Sequence, residues 1–424
     1  MKNILIHFLL VMSLAMNAQQ VNFDDYFINK TLRFDYINAG NSDTNIIYLK
    51  QLKQEPYWGG SHTNLIDIFN YGQYKVVVID KQSGKEIYSR AYNTLFSEWQ
   101  DIPEAKTVPK GFYESAVMPF PKDSATILIQ KIDKKNIYHT IYKYEFDPNS
   151  IFIKKDLVYD FQTGDILNNG PVDKKVDIVI LAEGYTKDEM GKFIADAKKM
   201  TNFLFEYEPF KSHKDDFNVH YVESYSEESG TDNPGKGIWK RTIMNSSFWT
   251  FGTERYLTTE DFKSVRDVAA LAPYDQIYVL VNTDKYGGGG IYNFFNLCVS
   301  DHPAAPQVFV HEFGHGFGGL ADEYDYGDES NADRYDLSVE PIEPNITTLV
   351  HFDQKWQDMV TPGTKIPTEV SEENKGKIGA FEGAGYVAKG VYRPTMGCIM
   401  RELKYKFCPV CQRALTEMID FYSE

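Results

Sequence analysis

The run His311-Glu312-Phe313-Gly314-His315 carries the spacing H-E-x-x-H. Residues four apart on a helix share a face, so the two imidazoles can converge on one zinc ion while Glu312 points beside them at water. Zinc draws the pKa of a bound water towards ~7, and the glutamate accepts its proton and later delivers it to a leaving amine. That pair of functions is the chemistry of peptide-bond hydrolysis. A catalytic zinc takes three protein ligands and keeps one position open. Gly316, Gly318 and Gly319 end the helix and turn the chain back, and the next residue able to bind zinc is Asp322. Glu323 is the second choice and His351 the third. A ligand from a downstream helix is disfavoured, since Pro341 and Pro344 break the stretch around Glu340 and Glu343.

Pro306, near the expected helix start, suits a first turn. Before it, the chain alternates between apolar strands at 176–182, 217–224, 276–282 and 291–300 and helices that open at Thr186, with Glu189 as its capping partner, and at 259–271. This order predicts an α/β layer with a partly parallel sheet. Residues 287–290, all glycine, read as a break ahead of the last strand, and 227–256 as a long loop with little periodicity. Residues 165–175, rich in Asn, Gly, Pro and Asp, read as a linker. Upstream, period-two alternation at 74–80, 86–92, 125–132 and 137–146 predicts antiparallel hairpins of an amino-terminal β-sandwich, which holds no cluster of metal-binding side chains. The expected division is a signal peptide at 1–18, a β-sandwich accessory domain at 19–165 and a catalytic domain at 166–424, an α+β or α/β chain.

The 44 Lys and Arg against 60 Asp and Glu leave a formal charge of −16, which argues against nucleic acid or an anionic membrane surface as partner. Lys2, the apolar run 4–15 and Ala18 read as a signal peptide cleaved near Ala18, and no later run is long enough to span a membrane. The expected location is therefore secreted, periplasmic or cell-surface. An even count of cysteines, Cys298, Cys398, Cys408 and Cys411, permits disulfides in an exported chain, and a staple involving Cys398, Cys408 or Cys411 near the final helix is expected. As half of a zinc knuckle, Cys408-Pro409-Val410-Cys411 lacks a second C-x-x-C.

The run from His311 to Tyr324 resembles the signature of the IgA-peptidase family of secreted bacterial zinc metalloendopeptidases, relatives of the metzincins. The likeness continues at Phe381-Glu382-Gly383-Ala384-Gly385-Tyr386, at Tyr392-Arg393-Pro394 and at Cys398-Ile399-Met400-Arg401. It implies a metzincin-like zincin domain with a mixed sheet and an active-site helix, preceded by the accessory domain found in Bacteroides-type members. It also implies that Met400 forms the Met-turn beneath the imidazoles, with Met396 the competing choice. The metzincin pattern is not kept throughout: Gly318 stands where a glycine is expected, but Ala321 holds the third-ligand place and Asp322 follows it. Tyr324 and Tyr392 are candidate donors to an oxyanion or to substrate. The strand 291–300 is the expected sheet edge for an extended substrate. Together these readings describe a secreted one-zinc endopeptidase acting on protein or peptide substrates, with His311, His315 and Asp322 as ligands and Glu312 as general base. Its rivals are a zinc hydrolase of short or cell-wall peptides and a binding protein with a vestigial zinc site.

Overall fold

Alternating apolar and polar residues give a strand one face to bury, and the amino-terminal part of the chain follows that rule. In the computed structural model, which describes residues 21–327 and 334–424, a helical turn α1 (Phe23–Tyr26) leads into β1 (Phe27–Gly40) and β2 (Asn45–Glu55). After these come β3 (Tyr74–Asp80), β4 (Glu86–Tyr92), α2 (Leu95–Gln100), β5 (Lys110–Pro121), β6 (Ala125–Ile132), β7 (Tyr138–Phe146) and the short β8 (Ile153–Lys154). The two expected hairpins form, β3 against β4 and β6 against β7, both antiparallel. The strands make two four-stranded sheets, ordered β5-β1-β2-β8 and β4-β3-β6-β7. Aromatic side chains join the sheets. Phe34 of β1 lies 6.0 Å and 5.7 Å from the rings of Tyr142 and Tyr144 in β7, and the Tyr36 and Tyr92 hydroxyls are 2.8 Å apart. The expected signal peptide, 1–18, lies outside the described residues.

The remainder of the chain supplies β9 (Thr163–Leu167), β10 (Val176–Glu183), α3 (Met190–Leu204), β11 (Phe217–Val222), α4 (Phe262–Ala269) and β12 (Gln276–Val281). Then come β13 (Gly288–Ile291), β14 (Phe295–Val299), α5 (Ala305–Gly316), β15 (Phe381–Ala384), β16 (Val387–Arg393) and α6 (Pro409–Ser423). A six-stranded mixed sheet runs β13-β14-β12-β10-β11-β9. Its four inner strands pair in parallel, and β13 and β9 are antiparallel edges. Every residue of β10 is buried, as a strand covered on both faces requires. The Thr186–Glu189 capping box forms and opens a 3₁₀ turn that leads into α3, whose buried face carries Met190, Phe193, Ala197, Met200 and Leu204, with Ile194 half-buried beside it. The fold is thus mixed α+β with several sheets.

Three sequence expectations need correction. The linker expected at 165–175 begins inside an edge strand, because β9 pairs with β11 and Asp165 is held there by His220, whose Nδ1 lies 2.6 Å from its Oδ1. The strand expected at 291–300 is a hairpin: the glycines at 288–290 belong to β13, the chain reverses at Asn293 (φ 51°), and β14 returns from Phe295. Glycine here does not break the chain; it allows a strand to lie close to a helix. The helix expected at 259–271 is shorter, since the Asp261 carboxylate caps the Ser264 N–H at 3.1 Å and sets the start of α4 at Phe262.

The two halves meet around a buried ion cluster. Arg33 of β1 reaches Asp35 and Glu55, each at 3.0 Å, and Asp267 of α4 at 2.7 Å. Lys53 of β2 also reaches Asp267, at 2.9 Å.

Candidate metal centre

Helix α5 is built for burial on most of its surface, with Val308, Phe309, Val310 and Phe313 in the core, and His311 and His315 partly open on the remaining face. It starts at a proline-bearing first turn, as expected. It ends at Gly316, and three residues later Gly319, with a φ of 61°, reverses the chain while its N–H bonds the carbonyl of His315 at 3.0 Å. The reversal brings Asp322 back to the two imidazoles. The Nε2 atoms of His311 and His315 are 3.1 Å apart, and the Asp322 Oδ1 lies 3.2 Å from the first and 3.4 Å from the second. Ligands bound at ~2.0–2.1 Å in a tetrahedron stand ~3.3 Å from one another, so the three atoms already have the separations of a zinc sphere. The same Oδ1 is buried and makes no hydrogen bond among the described residues. Such an orphaned oxygen facing two imidazole nitrogens fits a cation held between them.

The surrounding bonds fix the orientation of all three. His311 Nδ1 donates to the carbonyl of Ile399 at 3.0 Å and His315 Nδ1 donates to that of Leu320 at 2.6 Å, which turns both Nε2 atoms towards Asp322. The Tyr386 hydroxyl donates to Asp322 Oδ2. Asn345 clamps the turn from outside, accepting from the Ala321 N–H at 2.8 Å and donating to the Ala321 carbonyl at 2.9 Å. Burial opposes the charge on both Asp322 and His315, yet their mutual attraction prevails. The aspartate is held well below the ordinary carboxylate range and His315 is raised to about 9. Burial also raises the Glu312 carboxyl above its ordinary value.

Met400 lies under the helix: a Cβ added to Gly314 would stand 2.7 Å from its sulfur. Met396 is partly exposed, and its carbonyl accepts a bond from Arg401. Glu323 turns away from the imidazoles into a buried pocket of cysteine sulfurs, where its Oε1 is 3.2 Å from Cys411 Sγ. His351 is exposed and its backbone is tied to Glu340. Tyr324 lines the cleft beside Asp322, whereas Tyr392, paired with Thr347 and Glu382, is not among the residues that line it. All four cysteines are free, so the expected disulfide staple is absent. Cys398 and Cys411 hold their sulfurs 3.7 Å apart, well beyond the ~2.05 Å of a bond.

The cleft over this centre encloses about 850 Å³ and draws its wall from both halves of the chain. Glu98 and Asp101 come from the amino-terminal part, and Arg255 and Tyr256 from the long loop after β11. The loop is ordered from below by Glu183, which accepts from Thr242 Oγ1 at 2.5 Å and from the N–H groups of Met244 and Ser246 at 2.9 Å each. Burial pushes Glu98 up to about 7 although the Tyr256 hydroxyl donates to it. The outer strand along the cleft is β13. A Cβ at Gly290 would collide with the Glu312 carbonyl, and one at Gly288 would meet Val308 Cγ1 at 2.7 Å and Glu312 Oε1 at 3.0 Å. Only glycine lets this edge lie so near the helix.

Sequence reasoning missed Tyr386, Asn345, Glu98 and Arg255 as neighbours of the centre. They come from four separate segments with no spacing in common, and only Tyr386 stood inside a quoted motif.

A comparison with curated proteins finds no match to this chain. Residues 165–375 and 370–419 match the family model described as IgA Peptidase M64, and residues 22–143 match the one described as Peptidase M64 N-terminus. With the two matches in that order along the chain, the protein belongs to the M64 family of metallopeptidases and carries its amino-terminal domain ahead of the catalytic one.

Proposed function

We propose that the protein is a secreted zinc-dependent endopeptidase with a metzincin-like catalytic domain. The observation that carries this reading is the convergence of His311 Nε2, His315 Nε2 and the unpartnered Asp322 Oδ1 beside Glu312. Zinc held by these three would supply Lewis acidity, acidifying water and polarising a carbonyl. Glu312, whose pKa is raised by burial, takes the proton of the attacking water at its carboxylate and passes it to the leaving amine. Tyr324 keeps its proton, because burial and the nearby Asp322 carboxylate raise its pKa, and offers it to the developing oxyanion. Arg255, also in the cleft, adds positive charge there. Met400 supports the helix from below. An extended substrate pairs along β13, whose outer edge is already bridged at one point, Gly288 to Tyr256. The expected domain division, with its boundary near residue 165, and export by the leading peptide belong to the same proposal.

The test is a metal analysis joined to a cleavage assay on a panel of folded and unfolded proteins. Glu312→Gln should keep its zinc and lose ~10²–10⁴-fold in rate. Asp322→Ala should lose zinc. Cleavage by Glu312→Gln at the wild-type rate would remove the general base from the mechanism.

A further inference from the structure

We infer that the protein holds a second, structural zinc ion, bound by Cys398, Cys408, Cys411 and Glu323. The inference stands independently of the catalytic reading above. One ligand atom from each of these four residues lies within 4.8 Å of those of the other three. All four are buried, Glu323, Cys398 and Cys411 completely and Cys408 at 4% exposure. A closed set of four protein ligands with no open position is the mark of a structural site.

The separations fit. Zinc–sulfur bonds of ~2.3 Å in a tetrahedron place two sulfurs ~3.8 Å apart, and a sulfur and a carboxylate oxygen ~3.5 Å apart. Cys398 and Cys411 sulfurs are 3.7 Å apart, and the Glu323 Oε1 is 3.2 Å from Cys411 Sγ and 4.0 Å from Cys408 Sγ. Backbone donors already favour thiolates. The Cys408 N–H points at Cys398 Sγ at 3.4 Å, and the Cys411 N–H at Cys408 Sγ at 3.5 Å, at the amino-terminal end of α6. The second oxygen of Glu323, Oε2, is buried with no hydrogen-bond partner among the described residues. Asn345 Nδ2 donates to Oε1 at 3.1 Å, yet Oε2 stays orphaned among three thiols, and a cation accounts for that oxygen directly.

A disulfide satisfies the cluster less well. Three sulfurs meet here, and the fourth cysteine, Cys298, bonds instead to the carbonyls of Val299 and Ala305. Any one S–S bond leaves a third thiol over and does nothing for Glu323 Oε2. The metal uses all four groups, each thiol giving its proton to solvent as it binds. Thiolate-rich sites select zinc among the common divalent ions. Half of the resulting excess of two negative charges is offset by the guanidinium of Arg393, which is itself buried and acts on Glu323.

The position gives the ion a task. Glu323 follows Asp322 directly and its N–H bonds the Met400 carbonyl at 2.8 Å, and Cys398 precedes Ile399, whose carbonyl orients His311. One ion would therefore pin the Met400 turn and the Asp322 segment together beneath the catalytic centre.

The experiment measures zinc in the full-length exported chain and in His311→Ala/His315→Ala. Two zinc ions per chain are expected in the first and one in the second. Replacing that remaining ion with cobalt should produce the near-ultraviolet sulfur-to-cobalt charge-transfer band, which a histidine site lacks. Cys408→Ser should abolish the retained ion and the band, and if it fails to fold, the histidine double variant decides alone. The proposal is overturned if that double variant holds no metal, if its metal gives no thiolate band, or if unreduced peptide mapping finds a disulfide among Cys398, Cys408 and Cys411.

Discussion

Tyr386 shows how much of the candidate metal centre rests on a residue that is not among its proposed ligands. Its hydroxyl donates to Asp322 Oδ2, which leaves Oδ1 to face the imidazoles. Such an orienting bond typically governs metal affinity by a factor of ~10–100. Tyr386→Phe should therefore bind zinc more weakly by that factor in a competition titration, while excess zinc restores most of the cleavage rate. Unchanged affinity would mean that Asn345 and the turn at Gly319 orient Asp322 without help. At the same scale, one position separates two fates: Asp322 turns to the imidazoles and Glu323, next to it, to the sulfurs of Cys408 and Cys411. Their order was legible from the H-E-x-x-H run, because only a short turn separates it from the acidic pair. The direction in which each side chain faces was not.

Among the elements, the sheet edges carry the instructive differences. Strand β9 is held to β10 and β11 through His220, whose Nδ1 faces Asp165 at 2.6 Å and whose Nε2 faces Asp177 at 2.9 Å. Burial opposes the charge on His220, but the two carboxylates overrule it and raise its pKa above 6.5. A histidine raised in this way stabilises the fold fully below its unfolded pKa, and the contribution is lost as pH rises through the folded value. The stability difference between wild type and His220→Gln should accordingly be largest near about pH 6 and shrink as the pH is raised above it in denaturant titrations. A constant difference across that range would show that the pair of carboxylates does not hold the imidazole charged. At the other edge, the turn of the β13–β14 hairpin docks on the amino-terminal domain. The Tyr292 carbonyl accepts from the Asn93 N–H at 2.9 Å, and Asn293 donates to the Ala91 carbonyl at 2.9 Å. The strand beside the candidate active site is thus braced from outside the catalytic domain.

For the molecule as a whole, the amino-terminal domain is part of the site's construction as well as its neighbour. It supplies Glu98 and Asp101 to the cleft, braces β13, and joins α4 through Arg33, Lys53 and Asp267. Burial works against the Asp267 carboxylate, yet Arg33, Lys263 and Lys53 hold its pKa at about 2. Removing one member of a buried ion cluster leaves uncompensated charge, at a cost of ~3–5 kcal/mol. Asp267→Ala should lose about that much in equilibrium unfolding and should loosen both domains together. A loss under ~1 kcal/mol, the scale of an exposed pair, would mean that Arg33 and Lys53 find water or Glu55 instead.

By itself the sequence determined what depends on local spacing. H-E-x-x-H requires only that four residues make about one helical turn, and the strands at 74–80, 86–92 and 125–132 require only that alternate side chains share a face. The metallopeptidase family was legible for the same reason, since its motifs lie in short continuous runs. Tertiary structure alone decided what depends on segments far apart in the chain. The disulfide expected from an even cysteine count gave way to three sulfurs gathered with Glu323, because Cys398 and Glu323 reach the Cys408–Cys411 pair through chain reversals that no spacing records. The glycines at 288–290 read as a break, because their reason for being glycine is α5, which packs against them from later in the chain. Tyr386 and Glu98 reach the centre for a like reason, through folded backbone, and a linear reading cannot weigh contacts made across such distances.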